Sequence, residues 1–141
     1  MRWSMAHETF IDTSGFYALL VDADSAHATA VRWLAAARAR KARVVTTDYV
    51  LDETATLLKA RGHGTLIAVF FEQLDRSEVC LVLSVDRDLF DRARALFVKH
   101  ADHAYSFTDC TSFVIMTERG IREALSKDAH FAEAGFRPLL V

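Results

Sequence analysis

Short, continuously apolar runs alternate along the chain with longer stretches in which apolar positions return every three or four residues. Thr9-Phe10-Ile11 is the first such run, and it ends abruptly on Asp12-Thr13-Ser14. Arg43-Val44-Val45-Thr46, Ala124-Leu125-Ser126 and residues 79–84 and 136–141 read as further strands, because β-branched and apolar runs bounded by polar residues favour extended chain. The run Val79-Cys80-Leu81-Val82-Leu83 is apolar throughout, which predicts a strand buried on both faces. Helical spacing covers 15–21, 25–40, 48–61, 64–77, 86–99 and 107–119, with one or two turns over 128–134. Ala30, Val31, Leu34 and Ala35 form the apolar stripe of the second helix. Asp86 is a cap candidate, and Gly62 and Gly120 stand where two helices should stop, in positions that suit a left-handed C-terminal residue.

Strands that alternate with helices predict an α/β domain: a mainly parallel central sheet with helices on both faces. Pro138, the only proline, lies near the end of the chain, where an edge strand tolerates it. A length of 141 residues, 52% of them hydrophobic, suits one domain over 1–141 with one core, and no linker or internal repeat divides it. No apolar run approaches the length of a bilayer span, and the stretch from Met1 to Glu8 lacks the apolar segment of a signal peptide, so a cytoplasmic location is expected. Cys80 and Cys110 show no CxxC spacing and read as buried free thiols. With 17 basic and 19 acidic residues the net charge is −2, which excludes a binder that holds nucleic acid by bulk positive charge. Any phosphate binding must then come from local means. Arg38-Ala39-Arg40-Lys41-Ala42-Arg43 is one basic cluster that can assist, or simply a solvated helix end favoured by the macrodipole.

Four acids carry the candidate chemistry. Asp12, at the end of the first strand, is either a helix N-cap or a site residue at the rim where parallel sheets bind ligands. Glu53 falls beside the apolar stripe Val50, Thr54, Leu57 and Leu58, whereas its neighbour Asp52 points toward solvent. Asp109 lies in the first turn of the helix over 107–119, within Tyr105-Ser106-Phe107-Thr108-Asp109, and Asp128 follows Ser126-Lys127 at the end of a strand. Gathered on one rim they would repel, since a pair of charges about 4 Å apart costs on the order of 4 kcal/mol at an effective dielectric of 20. A shared site therefore requires a divalent metal or proton uptake, and an all-oxygen donor set favours Mg²⁺ or Mn²⁺ over Zn²⁺. Ser14-Gly15 lacks the flanking glycine of a nucleophile elbow, no HExxH spacing occurs, and His100, Asp102 and His103 read as a solvated loop.

In order and spacing, Phe10-Ile11-Asp12-Thr13-Ser14, the Glu53 helix, Tyr105-Ser106-Phe107-Thr108-Asp109 and the segment Leu125-Ser126-Lys127-Asp128-Ala129-His130-Phe131 through Gly135-Phe136 resemble the motifs of PIN-domain ribonucleases, particularly VapC-type toxins. The resemblance implies a PIN-like three-layer α/β/α sandwich. It implies that Asp12, Glu53, Asp109 and Asp128 form the catalytic, metal-binding acidic site, with Ser14, Thr108 and Ser126 as supporting hydroxyls. Ser126 stands where the family often has Thr, a departure that keeps the hydroxyl. The implied function is a Mg²⁺-dependent endoribonuclease, with Mn²⁺ as a possible substitute, that cleaves RNA phosphodiester bonds with a metal-activated water and acts as the toxin of a toxin–antitoxin pair. The implied partners are an RNA substrate, a cognate antitoxin and a second copy in a homodimer, with no membrane. The competing readings are a non-toxin PIN nuclease of RNA processing, an inactive domain kept for binding, and an α/β phosphoacceptor signalling domain. The last needs adjacent acids after the first strand, where this chain has Thr13 and Ser14.

Overall fold

The computed structural model describes residues 7–141, so the N-terminal expectation falls largely outside the described residues. The chain runs β1 (Glu8–Ile11), α1 (Thr13–Leu20), α2 (His27–Ala39), β2 (Arg43–Thr47), α3 (Asp48–Ala60), α4 (Thr65–Arg76), β3 (Cys80–Leu83), α5 (Arg87–Lys99), α6 (Phe107–Arg119), β4 (Glu123–Leu125), α7 (His130–Glu133) and β5 (Arg137–Pro138). All strand pairings are parallel, in the order β3-β2-β1-β4-β5. From β1 the chain steps outward to β2 and β3, then crosses back to β4 and β5. Because such crossovers are right-handed, the reversal places α1 to α4 on one face and α5 to α7 on the other, which gives an α/β/α sandwich. The reversal falls between β1 and β4, whose carboxyl ends are where a ligand crevice opens in such sheets.

The local sequence explains where the helices start and stop. Thr47 and Asp86 cap α3 and α5 by accepting from the amides of Val50 and Leu89. Ser106 and Asp109 cap each other's amides at the start of α6, and Gly120 ends that helix at φ 68°, a conformation that glycine adopts without strain. The sheet centre is the core: Phe10, Ile11, Val45, Ala124 and Leu125 are fully buried, and each large apolar side chain so buried contributes about 1.5–3 kcal/mol. Phe16 meets Phe70 edge-on at 5.2 Å, which ties α1 to α4, while Phe113 meets Phe131 at 5.1 Å on the other face. Gly15 lies so close to β4 that a Cβ on it would stand 2.0 Å from the carbonyl oxygen of Leu125. The first turn of α1 is thereby pressed against the end of β4.

Several expectations need correction. Residues 79–84 do not form a strand buried on both faces: β3 is an edge strand paired only with β2, with Val82 39% exposed and Cys80 half-buried. An apolar run does not distinguish centre from edge, because the crossovers decide which strands are flanked. Cys110 is buried as expected, and both cysteines are free, with burial pushing each thiol up to about 11. The last strand shrinks to Arg137–Pro138, after which the chain turns at Leu139 and Leu140. The Leu139 and Leu140 amides still bond the carbonyls of Ala124 and Ser126. The basic cluster 38–43 precedes β2 and so lies at the rim opposite the carboxyl ends. Among the described residues, no helix is long and apolar enough to cross a membrane.

Candidate active site

Asp12 is the first residue past β1, and the register that pairs Ile11 with Leu125 brings Ser126 beside it. The Ser126 hydroxyl donates to Asp12 Oδ2 at 2.7 Å, the Ser14 hydroxyl to Oδ1 at 2.8 Å, and the Gly15 amide to the same Oδ1 at 2.9 Å. Both serine oxygens in turn accept a backbone amide from the β4–α7 loop, Ser14 from Lys127 and Ser126 from Asp128, at 2.8 and 2.9 Å. Asp12 is thus both the N-cap of α1 and the centre of a clasp joining two strand ends. It is only 7% exposed, and burial outweighs its three donors, so its carboxyl is pushed up to about 6 with no basic side chain bonded to it.

The other acids approach from separate elements. Asp109 sits in the first turn of α6, and Asp128 lies in the loop after β4, where its carboxylate accepts the His130 amide at 2.9 Å. His130 Nδ1 stands 3.3 Å from Asp109 Oδ2 and 3.2 Å from Asp128 Oδ1. The three side chains bring one ligand atom each within 4.8 Å of one another. Burial raises the Asp109 carboxyl, and nearby Asp128 raises it further, against the opposing Ser106 amide and His130 ring. Glu53 stands across the cleft on α3, exposed and with no hydrogen bond among the described residues. Asp12, Glu53, Asp109 and Asp128, together with Ser14 and Thr108, line one cleft of about 340 Å³. Ser126 is buried beneath it. The hydrogen bonds at Thr108 run through its carbonyl, which accepts from Thr111 and Ser112, and its hydroxyl makes none among the described residues. Asp52 is exposed and lies off the cleft.

This donor set fits a divalent cation. Five carboxylates line the cleft against two cationic side chains, and one of these, Lys127, is spent on Asp24 at 3.2 Å. Buried charge left uncompensated is costly, and carboxylate oxygens suit Mg²⁺ and Mn²⁺. The set is not all oxygen, however, because His130 adds a nitrogen that the spacing of the acids did not reveal. The available signal was Asp128-Ala129-His130, whose local turn brings His130 Nδ1 to 3.2 Å from Asp128 Oδ1. The solvated-loop reading of His100, Asp102 and His103 also needs sharpening, for these groups converge within 4.8 Å while remaining largely exposed.

A family model described as PIN domain matches residues 9–137. The chain belongs to the PIN-domain family. Within it, the chain is 40% identical over 128 residues to the 23S rRNA-specific endonuclease VapC20 of Mycobacterium tuberculosis strain H37Rv, and equally to its counterpart in strain CDC 1551, covering 90% of this chain and 94% of the relative. The crystal structure of Mycobacterium tuberculosis VapC20, described as a sarcin–ricin loop cleaving toxin, superposes with a TM-score of 0.79 at 36% identity, over 91% of this chain and 95% of that one. The PIN-domain sandwich expected from the motifs is therefore the fold observed, and the acids of this PIN domain gather at its switch point.

Proposed function

We propose that this chain is a Mg²⁺-dependent endoribonuclease, with Mn²⁺ able to substitute, whose metal is held by Asp12, Glu53, Asp109 and Asp128. The observation that carries the reading is the carboxylate-lined cleft at the ends of β1 and β4, in which Asp12 is buried with no cation of the protein bonded to it. When bound, a divalent ion supplies Lewis-acid chemistry: it lowers the pKa of water and neutralises charge on the phosphate and the leaving oxygen.

The chain's own residues make that chemistry possible by fixing geometry. Ser14 and Ser126 each spend their proton on a different oxygen of Asp12, so the carboxylate cannot rotate without losing a bond. The Asp128 amide holds Ser126 in turn, which couples the orientation of one acid to the backbone that carries another. His130 keeps Asp109 and Asp128 converged across the cleft from Glu53. No side chain needs to act as nucleophile.

The substrate in this reading is the sarcin–ricin loop of 23S rRNA, carried over from the 40% identity to VapC20. The chain acts as the toxin of a toxin–antitoxin pair, neutralised by a cognate antitoxin, and works as a homodimer. The test is to incubate the protein with ribosomal RNA and map the cut ends, with Mg²⁺ or EDTA, comparing wild type with Asp109→Asn. A single cut in the loop that needs both Mg²⁺ and Asp109 supports the reading, while cleavage unaffected by EDTA and by the substitution overturns it.

A further inference from the structure

We propose that Arg61, held over the Tyr17 ring at the lip of the acidic cleft, is a phosphate-binding subsite that grips the RNA strand beside the bond being cut. The inference rests on the ribonuclease reading and adds to it a residue outside the acidic site. Of the two cations lining the cleft, Lys127 is tied to Asp24, whereas Arg61 has no carboxylate partner among the described residues. Among the described residues it is the cleft's one cation without a carboxylate partner.

Its position is built rather than incidental. Glu53, Leu57 and Arg61 recur every four residues and form one wall of the cleft. This row places an acid at the metal end, an apolar side chain in the middle and a cation at the far end. At 1.5 Å per residue the Cα atoms of Glu53 and Arg61 stand roughly 12 Å apart along the helix. That separation suits contact with a phosphate other than the one undergoing cleavage. The Arg61 guanidinium lies over the Tyr17 ring at 5.1 Å, and His63 packs edge-on against the same ring at 5.8 Å. Tyr17 stands one helical turn beyond Thr13, and both line the cleft. The ring holds the guanidinium in place, and its N–H groups make no hydrogen bond among the described residues, which leaves them for the two-point contact that phosphate oxygens accept. An aromatic ring under an arginine is also a recurring platform for single-stranded RNA, whose bases and backbone it engages together.

The competing explanation is that Arg61 is only a cation at the C-terminal end of α3, where the helix macrodipole favours one. The experiment separates the two. RNA affinity is measured by fluorescence anisotropy with a labelled oligoribonucleotide in Mg²⁺, using an Asp109→Asn background to block turnover, and steady-state cleavage is measured in the otherwise native chain. Arg61→Ala is expected to weaken RNA binding about tenfold and to lower the slope of log affinity against log salt by about 0.7, the share of one single-strand phosphate. It should raise KM about tenfold with kcat within about threefold, and leave Mg²⁺ affinity unchanged. Arg61→Lys should keep the salt slope but recover only part of the affinity, and Tyr17→Leu should lose part of it. Unchanged affinity and salt slope in Arg61→Ala, with at most a shift in melting temperature, would overturn the subsite and leave the helix-end explanation. If the native chain cuts RNA and Arg61→Ala matches it in every readout, this inference alone falls. If the native chain neither binds nor cuts RNA, the ribonuclease reading falls and takes the subsite with it.

Discussion

The two ends of β1 carry the same kind of side chain in opposite circumstances. At its start, Glu8 receives both Arg119 Nε at 3.0 Å and Nη2 at 2.8 Å, with Arg43 3.6 Å away, and the Arg119 bonds hold its carboxyl below the usual range. Glu123, at the start of the neighbouring β4, likewise meets Arg137 at 3.2 Å and His7 at 3.1 Å. Just past the other end, Asp12 meets two hydroxyls and an amide among the described residues, and burial drives its carboxyl up to about 6. One rim of the sheet pairs Glu8 and Glu123 with arginines; at the other, among the described residues, Asp12 has no cationic side chain bonded to it and Glu53 has no hydrogen bond. The difference separates acids paired within the fold from acids that, in the proposed reading, hold the metal.

The comparison breaks most visibly in activity. Asp109→Asn should lower RNA cleavage on the order of 10³-fold, the scale of several kcal/mol of lost charge stabilisation, whereas Glu8→Gln should leave the rate within about twofold in the same assay. A Glu8→Gln enzyme as impaired as Asp109→Asn would erase the distinction between the rims.

Next in size is the response of metal-free protein to pH. The folded pKa of Asp12, about 6, lies above its ordinary 3.8, so the stability it contributes is full below 3.8 and is lost as pH rises through 6. Denaturant titrations from pH 4 to pH 7 should show a penalty from this residue of up to about 3 kcal/mol, absent in Asp12→Asn and relieved by Mg²⁺. Glu8 runs in the opposite sense: with a lowered folded pKa, its contribution is present above 4.5 and fades as pH falls. A change in stability from pH 4 to pH 7 that is the same in the metal-free native chain and in Asp12→Asn would contradict the burial argument for Asp12.

Removing a supporting hydroxyl should have a smaller effect. Ser126→Ala takes a donor from Asp12 and the acceptor from the Asp128 amide, and calorimetric titration should find Mg²⁺ bound about 10- to 100-fold more weakly. Thr108→Ala, whose hydroxyl anchors nothing comparable, should bind Mg²⁺ as the native chain does. The smallest effect belongs to the paired rim: Glu8→Gln should cost about 1 kcal/mol of stability or less, because the pair is partly solvated. The loss should shrink in high salt, and thermal melts at two ionic strengths would reveal it.

Much of this was legible from residue order. Asp12 stands directly after a strand and Asp128 in the loop just past another, and in a parallel sheet strand ends are where ligands collect, so their shared rim was legible in the pattern. The bounds of α6 were equally plain, because Ser106 and Gly120 are local signals that act over a few residues. What escaped depends on long-range placement. Val82 shows solvent at an edge that only the order of crossovers determines. His130 converges on Asp109 across 21 residues of chain, and its proximity to Asp128 in sequence carried no hint of that third partner. Glu53 was read at the margin of a buried face, and it is exposed because the cleft it lines is open to solvent.

Gly15 bears no group that binds or reacts, yet the Leu125 carbonyl occupies the place where its side chain would be. Any larger residue must push the opening turn of α1 away from the end of β4, and with it Asp12 away from Ser126. A map of tolerated substitutions would therefore rank this glycine with the acids. Such maps record tolerances between parts as well as the parts themselves, and here the tightest tolerance is set by an atom that is missing.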